Sequence, residues 1–537
     1  MVTETESTDD TGGAAATAPN AETELKLAVR PEDLERLRAA PLLKQRGAGR
    51  AVTKTLESVY FDTDDFDLMR RLVTFRVRRS GERFVQTLKT APTSAGGLTR
   101  GEWEWAVAGP EPDLSVIAEA EALEQLGTVG AGDLRPVFTS HVRRTIRVID
   151  GGEAAIELAF DTGEIRLPGG GTVPLSELEL ELKRGDPAAL FELARLLASV
   201  APLRVESRSK AARGFALASG TLDDPVKAEK LALDPEDSVE TALCRVMRAC
   251  LAHAAANEAS VLKGTDPEGV HQMRVALRRL RSAFSLFRPF LPADQHDGLV
   301  ADVKWLGSTL GPARDWDVFL GDLLAPVIDA MDAAGGHGRP VVGDLRQLEE
   351  AAKARRDRAY DAVREAVLSE RYTGFQLRFA AWLEGRGWRE QRVDERSVRL
   401  FEPVRGLADE LLAKRHRKAR KSGKGFAGLT VDERHQVRIA LKKLRYASEF
   451  FRALYEEKAA RRYIQQVSAF QDALGHLNDV ATATRLMHDL HEDGGRPAAG
   501  EARAAGIVIG WHARGVTEGE ERLLALWRDF ADTKPFW

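Results

Sequence analysis

"AETELKLAVR", residues 21–30, decides how the N-terminal half is read. Glu22, Glu24 and Lys26 recur at every second position, with Thr23, Leu25 and Leu27 between them. Alternation with period two is that of a β-strand, so all three charges share one face. Two carboxylates side by side repel each other, and a strand that keeps them needs a compensating guest.

The same texture continues outward from this stretch. Candidate strands lie at 22–29, 55–61, 72–79, 83–90, 98–108, 138–149, 153–161 and 174–183. Gly and Pro punctuate them at "TAPTSAGG", "VAGPEPD", "IDGG" and "LPGGGTVP". Short helices fit at about 31–39, 113–126 and 186–200. Arg76 and Arg78 share a face opposite Phe75 and Val77. Arg100, Glu102 and Glu104 stand opposite Trp103 and Trp105, and Glu177, Glu179, Glu181 and Lys183 opposite Leu178, Leu180 and Leu182. Lys89, Arg144 and Asp161 fall in further strands; whether Arg143 or Arg144 faces the same way depends on register.

A polar face turned to water explains any one such strand. Here the charges are sorted: carboxylates on the first, fifth and last strands, Arg and Lys on the third and fourth. Eight antiparallel strands can close into a barrel with apolar faces outward under the helices and charged faces along a channel. Desolvated like charges cost several kcal/mol, so such a channel calls for ligands. Carboxylates take Mg²⁺ or Mn²⁺ through oxygen, and Arg and Lys clamp phosphate.

At this point "ETELK", "YFDT" (60–63), the R-x-R of Arg76 and Arg78, "RGEWE", "FDTGEI", "SELELELK" and "SRSKAARG" together resemble the CYTH domain of the triphosphate tunnel metalloenzymes. The resemblance covers about residues 20–217. It implies an eight-stranded tunnel binding a triphosphate end-on. It also implies metal-side carboxylates at Glu22, Glu24, Glu102, Glu104, Asp161, Glu177 and Glu179, with Glu181 as a further candidate. Lys26, Arg76, Arg78, Lys89, Arg144 and Lys210 become the catalytic phosphate clamps. The implied enzyme is an inorganic triphosphatase using Mg²⁺ or Mn²⁺. Thiamine or nucleoside triphosphatase and adenylate cyclase activities belong to the same fold as alternatives.

The chain has 537 residues, more than one core accommodates. Its 82 acidic and 78 basic residues leave a net charge of −4, so bulk charge selects no polyanionic partner. Cys244 and Cys250 form neither a disulfide framework nor a zinc spacing, which fits a cytoplasmic location. Residues 1–20, acidic and low in complexity, read as a disordered leader. No run approaches the roughly 18 apolar residues of a membrane span. The tunnel domain is expected over 21–217, a linker over 218–232, and an all-α domain over 233–535.

That helical half repeats itself. "HQMRVALRRLR" begins at His271 and "HQVRIALKKLR" at His435, an offset of 164 residues. The same offset carries Leu310, Gly311 and Asp315 onto Leu474, Gly475 and Asp479, giving two units at about 237–390 and 400–534. His271, Arg274, Arg278 and Arg281 form one helical stripe, and His435, Arg438, Lys442 and Arg445 form its copy. "KRHRKARKSGK" (414–424) precedes the second. Like charges at helical spacing destabilise by about 0.2–0.5 kcal/mol per pair, so two copies in equal register suggest a polyanion ligand. Nucleic acid is the rival, disfavoured because no aromatics for base stacking interleave the stripes. This half resembles the CHAD domain, which implies polyphosphate binding; a granule-associated, non-catalytic binding protein is the corresponding alternative. The fold class is thus α+β, a tunnel barrel followed by a duplicated helical bundle. Asp315 and Asp479 are expected either to orient the basic side chains or to cap helices.

Overall fold

The computed structural model describes residues 23–45, 47–92, 100–334, 339–391, 394–490 and 499–537. Nine strands form one antiparallel sheet: β1 (Thr23–Val29), β2 (Gly47–Asp62), β3 (Thr74–Ser80), β4 (Arg83–Pro92), β5 (Arg100–Val107), β6 (Arg135–Asp150), β7 (Ala155–Arg166), β8 (Thr172–Arg184) and β9 (Leu203–Val205). Their order is β5-β4-β3-β2-β6-β7-β8-β1-β9. The expected count of eight is exceeded by β9, whose three residues are too short for alternation to register. Among the described residues no backbone ladder joins β5 to β1 or β9, so the wall curves without a complete ring of hydrogen bonds.

Alternation places the apolar rows outside, as expected. Leu25, Leu27, Leu158, Phe160, Leu178 and Leu180 are buried with Leu34, Leu37, Leu193 and Leu197 of the helices Pro31–Arg38 and Ala188–Ala198. On the other flank Phe75, Val77 and Leu88 pack with Ile117 and Leu126, against Trp103 and Trp105. The segment read as one helix over 113–126 is a 3₁₀ turn, Leu114–Val116, and a separate helix, Ala120–Leu126.

The inner face has an apolar floor at one end, where Tyr60, Phe138, Val142, Ile165, Leu175 and Phe215 cluster. Tyr60 stacks on Phe138 with ring centroids 4.4 Å apart. The helix Lys210–Ala218 seats on this floor, and its Gly214 has no room for a side chain: a Cβ there would lie 2.2 Å from the Phe138 ring.

From Val239 onward the chain is helical. The helices Pro267–Phe287 and Val431–Phe451 occupy equivalent positions of the repeat, and Leu277, Leu280 and Phe287 are buried like Leu441, Leu444 and Phe451. Phe284 and Phe450 lie in one core, with the Arg279 guanidinium 5.3 Å from the Phe450 ring centre. The two halves pack together through the helix Glu370–Glu384: Leu377 is buried in the core under β1 and β8, and the Thr373 hydroxyl donates to the Leu203 carbonyl at 2.7 Å. Among the described residues no helix is long and apolar enough to cross a membrane.

Candidate active site

Register brings the inner charges together. On neighbouring strands Arg144 lies opposite Asp161, Asp161 opposite Glu177, and Glu179 opposite Lys26. Asp161, Glu177 and Glu179 each offer a carboxylate oxygen within 4.8 Å of the others, and Asp161 and Glu177 are fully buried. Three hard oxygen donors at this spacing suit Mg²⁺ or Mn²⁺.

Buried carboxylates need counter-charge, and three cations supply it. Arg144 donates to both Asp161 oxygens at 2.8 and 2.6 Å and also to Glu179, which settles the register: Arg144 faces inward while Arg143 is exposed. Lys210 Nζ lies 2.7 Å from Asp161 Oδ2 and 2.8 Å from Glu179 Oε1, and donates to Glu177. Arg213, one helical turn beyond, donates to the second Glu177 oxygen. Burial alone would raise the Glu179 carboxyl, but Lys210, Arg144 and Lys26 hold it well below the usual carboxylate range. Burial likewise works against the Lys210 ammonium, and the carboxylates outweigh it and raise its pKa.

The opposite stretch is cationic. Arg76 and Arg78 of β3 are half-buried, with Arg78 Nε donating to Ser58 Oγ at 3.2 Å. Burial and the neighbouring Arg76 push the Arg78 guanidinium down to about 10, with Arg144 adding and Glu104 opposing. Tyr60 shows the field of this wall. Burial raises its phenol, yet the pull of Arg76, Arg78 and Lys210 leaves it below its ordinary value.

The remaining predicted residues are distributed less compactly. Glu24 is bonded by Lys26, Glu102 by Lys89 at 2.6 Å, Glu104 by the Thr87 hydroxyl at 3.2 Å, and Glu181 by Lys183 at 2.5 Å. None of them joins the three-carboxylate cluster. Glu22 lies outside the described residues. Asp62 of "YFDT" is buried and organises backbone, accepting from the amides of Thr63, Leu68 and Met69 at 2.8–2.9 Å. Sequence reasoning missed Arg213 and Tyr60. The first stands in "SRSKAARG" three residues after Lys210, the spacing that puts both on one helical face.

In the helical half the two basic stripes meet. Arg278 of the first lies within the electrostatic reach of Arg438 and Lys442 of the second, and Arg314 of that of His271. Burial, then Arg438, Arg278 and Arg445, push the Lys442 ammonium down to about 7, against Asp479. Burial, then Arg314, Arg278 and Arg274, lower His271 to about 4, against Glu268. His435 and Arg281 are exposed ends of their stripes. Asp315 and Asp479 lie inside the helices Ala293–Val318 and Glu457–Asp489 and cap neither; burial lowers the Arg274 and Arg438 pKa values, and Asp315 and Asp479 respectively work against that lowering from beside the stripes. Arg485 also reaches Asp315 at 2.9 Å. Of the paired glycines only Gly311 makes room: a Cβ there would crowd Arg274 Nη1 at 3.2 Å, whereas one on Gly475 would meet Arg438 Nη2 at an ordinary 3.7 Å.

Comparison with known proteins places this geometry in context. The CYTH domain family matches residues 20–215 and the CHAD domain family residues 245–488. An inorganic triphosphatase of Haemophilus influenzae is 30% identical over 165 residues, 30% of this chain and 46% of that protein, so the chain matches less than half of that relative's length. An uncharacterised protein of Mycobacterium tuberculosis is 26% identical over 463 residues, 81% of this chain and 82% of its own. The solved CHAD domain from the plant Ricinus communis is 31% identical, covering 58% of this chain and 98% of that one at a TM-score of 0.49. The chain thus joins a CYTH domain to a CHAD domain.

Proposed function

We propose that the CYTH domain hydrolyses inorganic triphosphate to pyrophosphate and phosphate with Mg²⁺ or Mn²⁺, and that the CHAD domain binds polyphosphate. The observation that carries this reading is the cluster of Asp161, Glu177 and Glu179 paired with Arg144 and Lys210, beside a cationic wall that carries Arg76 and Arg78. A triphosphate and a metal together neutralise both sets. Asp161, Glu177 and Glu179 would hold the metal, with Glu24, Glu102 and Glu104 further along the same face. When bound, the metal supplies charge neutralisation and an activated water. Arg76 and Arg78 brace phosphoryl oxygens, and their fixed positive charge stabilises the negative charge that builds up on the leaving pyrophosphate. Lys26, Lys89 and Arg144 clamp along the chain of phosphates. No covalent nucleophile is needed. The shared relationship to an inorganic triphosphatase supports this substrate over nucleotides. In the CHAD domain, His271, Arg274, Arg278 and Arg281 face a polyphosphate from one side, and His435, Arg438, Lys442 and Arg445 from the other.

The test is phosphate release from inorganic triphosphate, thiamine triphosphate, ATP and long polyphosphate, each with Mg²⁺ and Mn²⁺. Triphosphate is expected to turn over fastest. Cyclic AMP from ATP would replace the reading by a cyclase, and no turnover above background by a polyphosphate-binding protein.

A further inference from the structure

The carboxylate cluster already holds a cation of the protein's own. Lys210 Nζ sits among Asp161, Glu177 and Glu179, within 2.7 and 2.8 Å of the first and third. A divalent ion held by these oxygens at about 2.0–2.6 Å would claim the same centre, and two cations cannot share it. We propose that Lys210 is an exchangeable resident cation, which Mg²⁺ or Mn²⁺ must displace to enter the cage. This rests on reading the cage as the metal site.

Three features make exchange mechanically simple. Lys210 is the first residue of its helix, and Ser209 caps that helix through the Ala212 amide at 3.1 Å, so the lysine side chain leaves without unwinding a turn. Arg213 keeps its own bond to Glu177, and Gly214 keeps the helix seated on Phe138, so the helix stays when the ammonium goes. The cage also borders the cationic wall, since the Lys210 charge reaches the Tyr60 phenol, whose oxygen accepts from Arg76 Nη1 at 3.5 Å.

Charge count sets the conditions. The three carboxylates are balanced by Arg144, Lys210 and Arg213. A divalent ion entering alone leaves an excess of two positive charges in a buried site, whereas triphosphate entering with it removes that excess and offers the released ammonium a new partner. Metal and triphosphate therefore strengthen each other's binding, reciprocally, and Lys210 passes from the cage to the phosphates.

The test is Mn²⁺ binding to the full chain without triphosphate, followed by electron paramagnetic resonance, for the wild type, Lys210→Met and Lys210→Gln. Removing the resident cation is expected to tighten Mn²⁺ at least 10-fold while phosphate release from triphosphate falls. Thermal unfolding gives a second readout: Mn²⁺ should raise the melting temperature of either variant more than that of the wild type, because a ligand stabilises in proportion to its affinity for the folded state. Equal or weaker Mn²⁺ binding by the variants, or no binding by any of the three proteins, overturns the exchange. Variants that bind Mn²⁺ more tightly, in a chain that leaves triphosphate intact, keep the exchange and remove the hydrolase reading instead.

Discussion

The two charged regions solve opposite problems. In the bore of the CYTH domain, acids and bases face each other: Arg144 meets Asp161, Lys210 meets three carboxylates, and Lys89 meets Glu102. In the groove of the CHAD domain, Arg274, Arg438 and Lys442 each lie near Arg278, with Asp315 and Asp479 as the counter-charges, and burial and the like charges drive the pKa values of Arg274, Arg438 and Lys442 down rather than up. The neutral bore can be filled by a matched set of guests, metal and phosphate, and suits chemistry on a short chain. The unbalanced groove stores repulsion that any polyanion relieves, and suits binding.

The largest effect on polyphosphate binding should come from emptying the groove. Arg274→Ala with Arg438→Ala removes two half-buried guanidinium groups, each a charge-assisted partner of about 1.5–3 kcal/mol. Polyphosphate affinity should fall about 100-fold in a calorimetric titration while triphosphate turnover stays at the wild-type rate. Loss of both activities in a folded protein would erase the contrast between the regions.

A smaller effect follows from Lys442. Its folded pKa of about 7 lies below its ordinary 10.5. Between those values the unfolded chain holds a proton that the folded one lacks, so its contribution to stability rises with pH across that window. Polyphosphate reverses the sign by drawing the proton back. Affinity should therefore weaken as pH rises through 7, by about 10-fold, and Lys442→Met should flatten the profile. An unchanged slope in the variant would assign the titration elsewhere.

The smallest separates the repeats from each other. Gly311→Ala places a methyl 3.2 Å from Arg274 Nη1 and should weaken polyphosphate binding a few-fold. Gly475→Ala, with 3.7 Å to Arg438, should leave binding alone and stabilise its helix by about 0.5–1 kcal/mol in a denaturant titration. Equal losses would mean the two glycines do the same work.

Much of this was legible from periodicity. Alternation in "ETELK" and "SELELELK" is enough to place Glu24 and Lys26 on the face of Glu177 and Glu179, because a strand offers only two faces. The repeat offset likewise predicts that Pro267–Phe287 and Val431–Phe451 are equivalent helices. What alternation cannot give is distance across the bore. The resemblance assigns Lys210 to the phosphates, while its helix brings it among the carboxylates, a tertiary contact spanning 31 residues to Glu179. Glu102 and Glu104 carry the right chemistry on the right face, but β5 sits six strands from β8 in the ladder, and local partners hold them. The first eight residues of β2 escaped because "GAGRAVTK" has no clean apolar row to read.

The central claim is that metal and triphosphate meet on the inner face of the CYTH domain. It is tested most directly by the ³¹P hyperfine coupling of Mn²⁺ retained on the protein with triphosphate after free ion and ligand are removed. The account predicts coupling in the wild type and its loss in Glu179→Gln, with turnover falling about 100- to 1,000-fold. Mn²⁺ bound without phosphorus coupling, or coupling and turnover that survive the substitution, would contradict it.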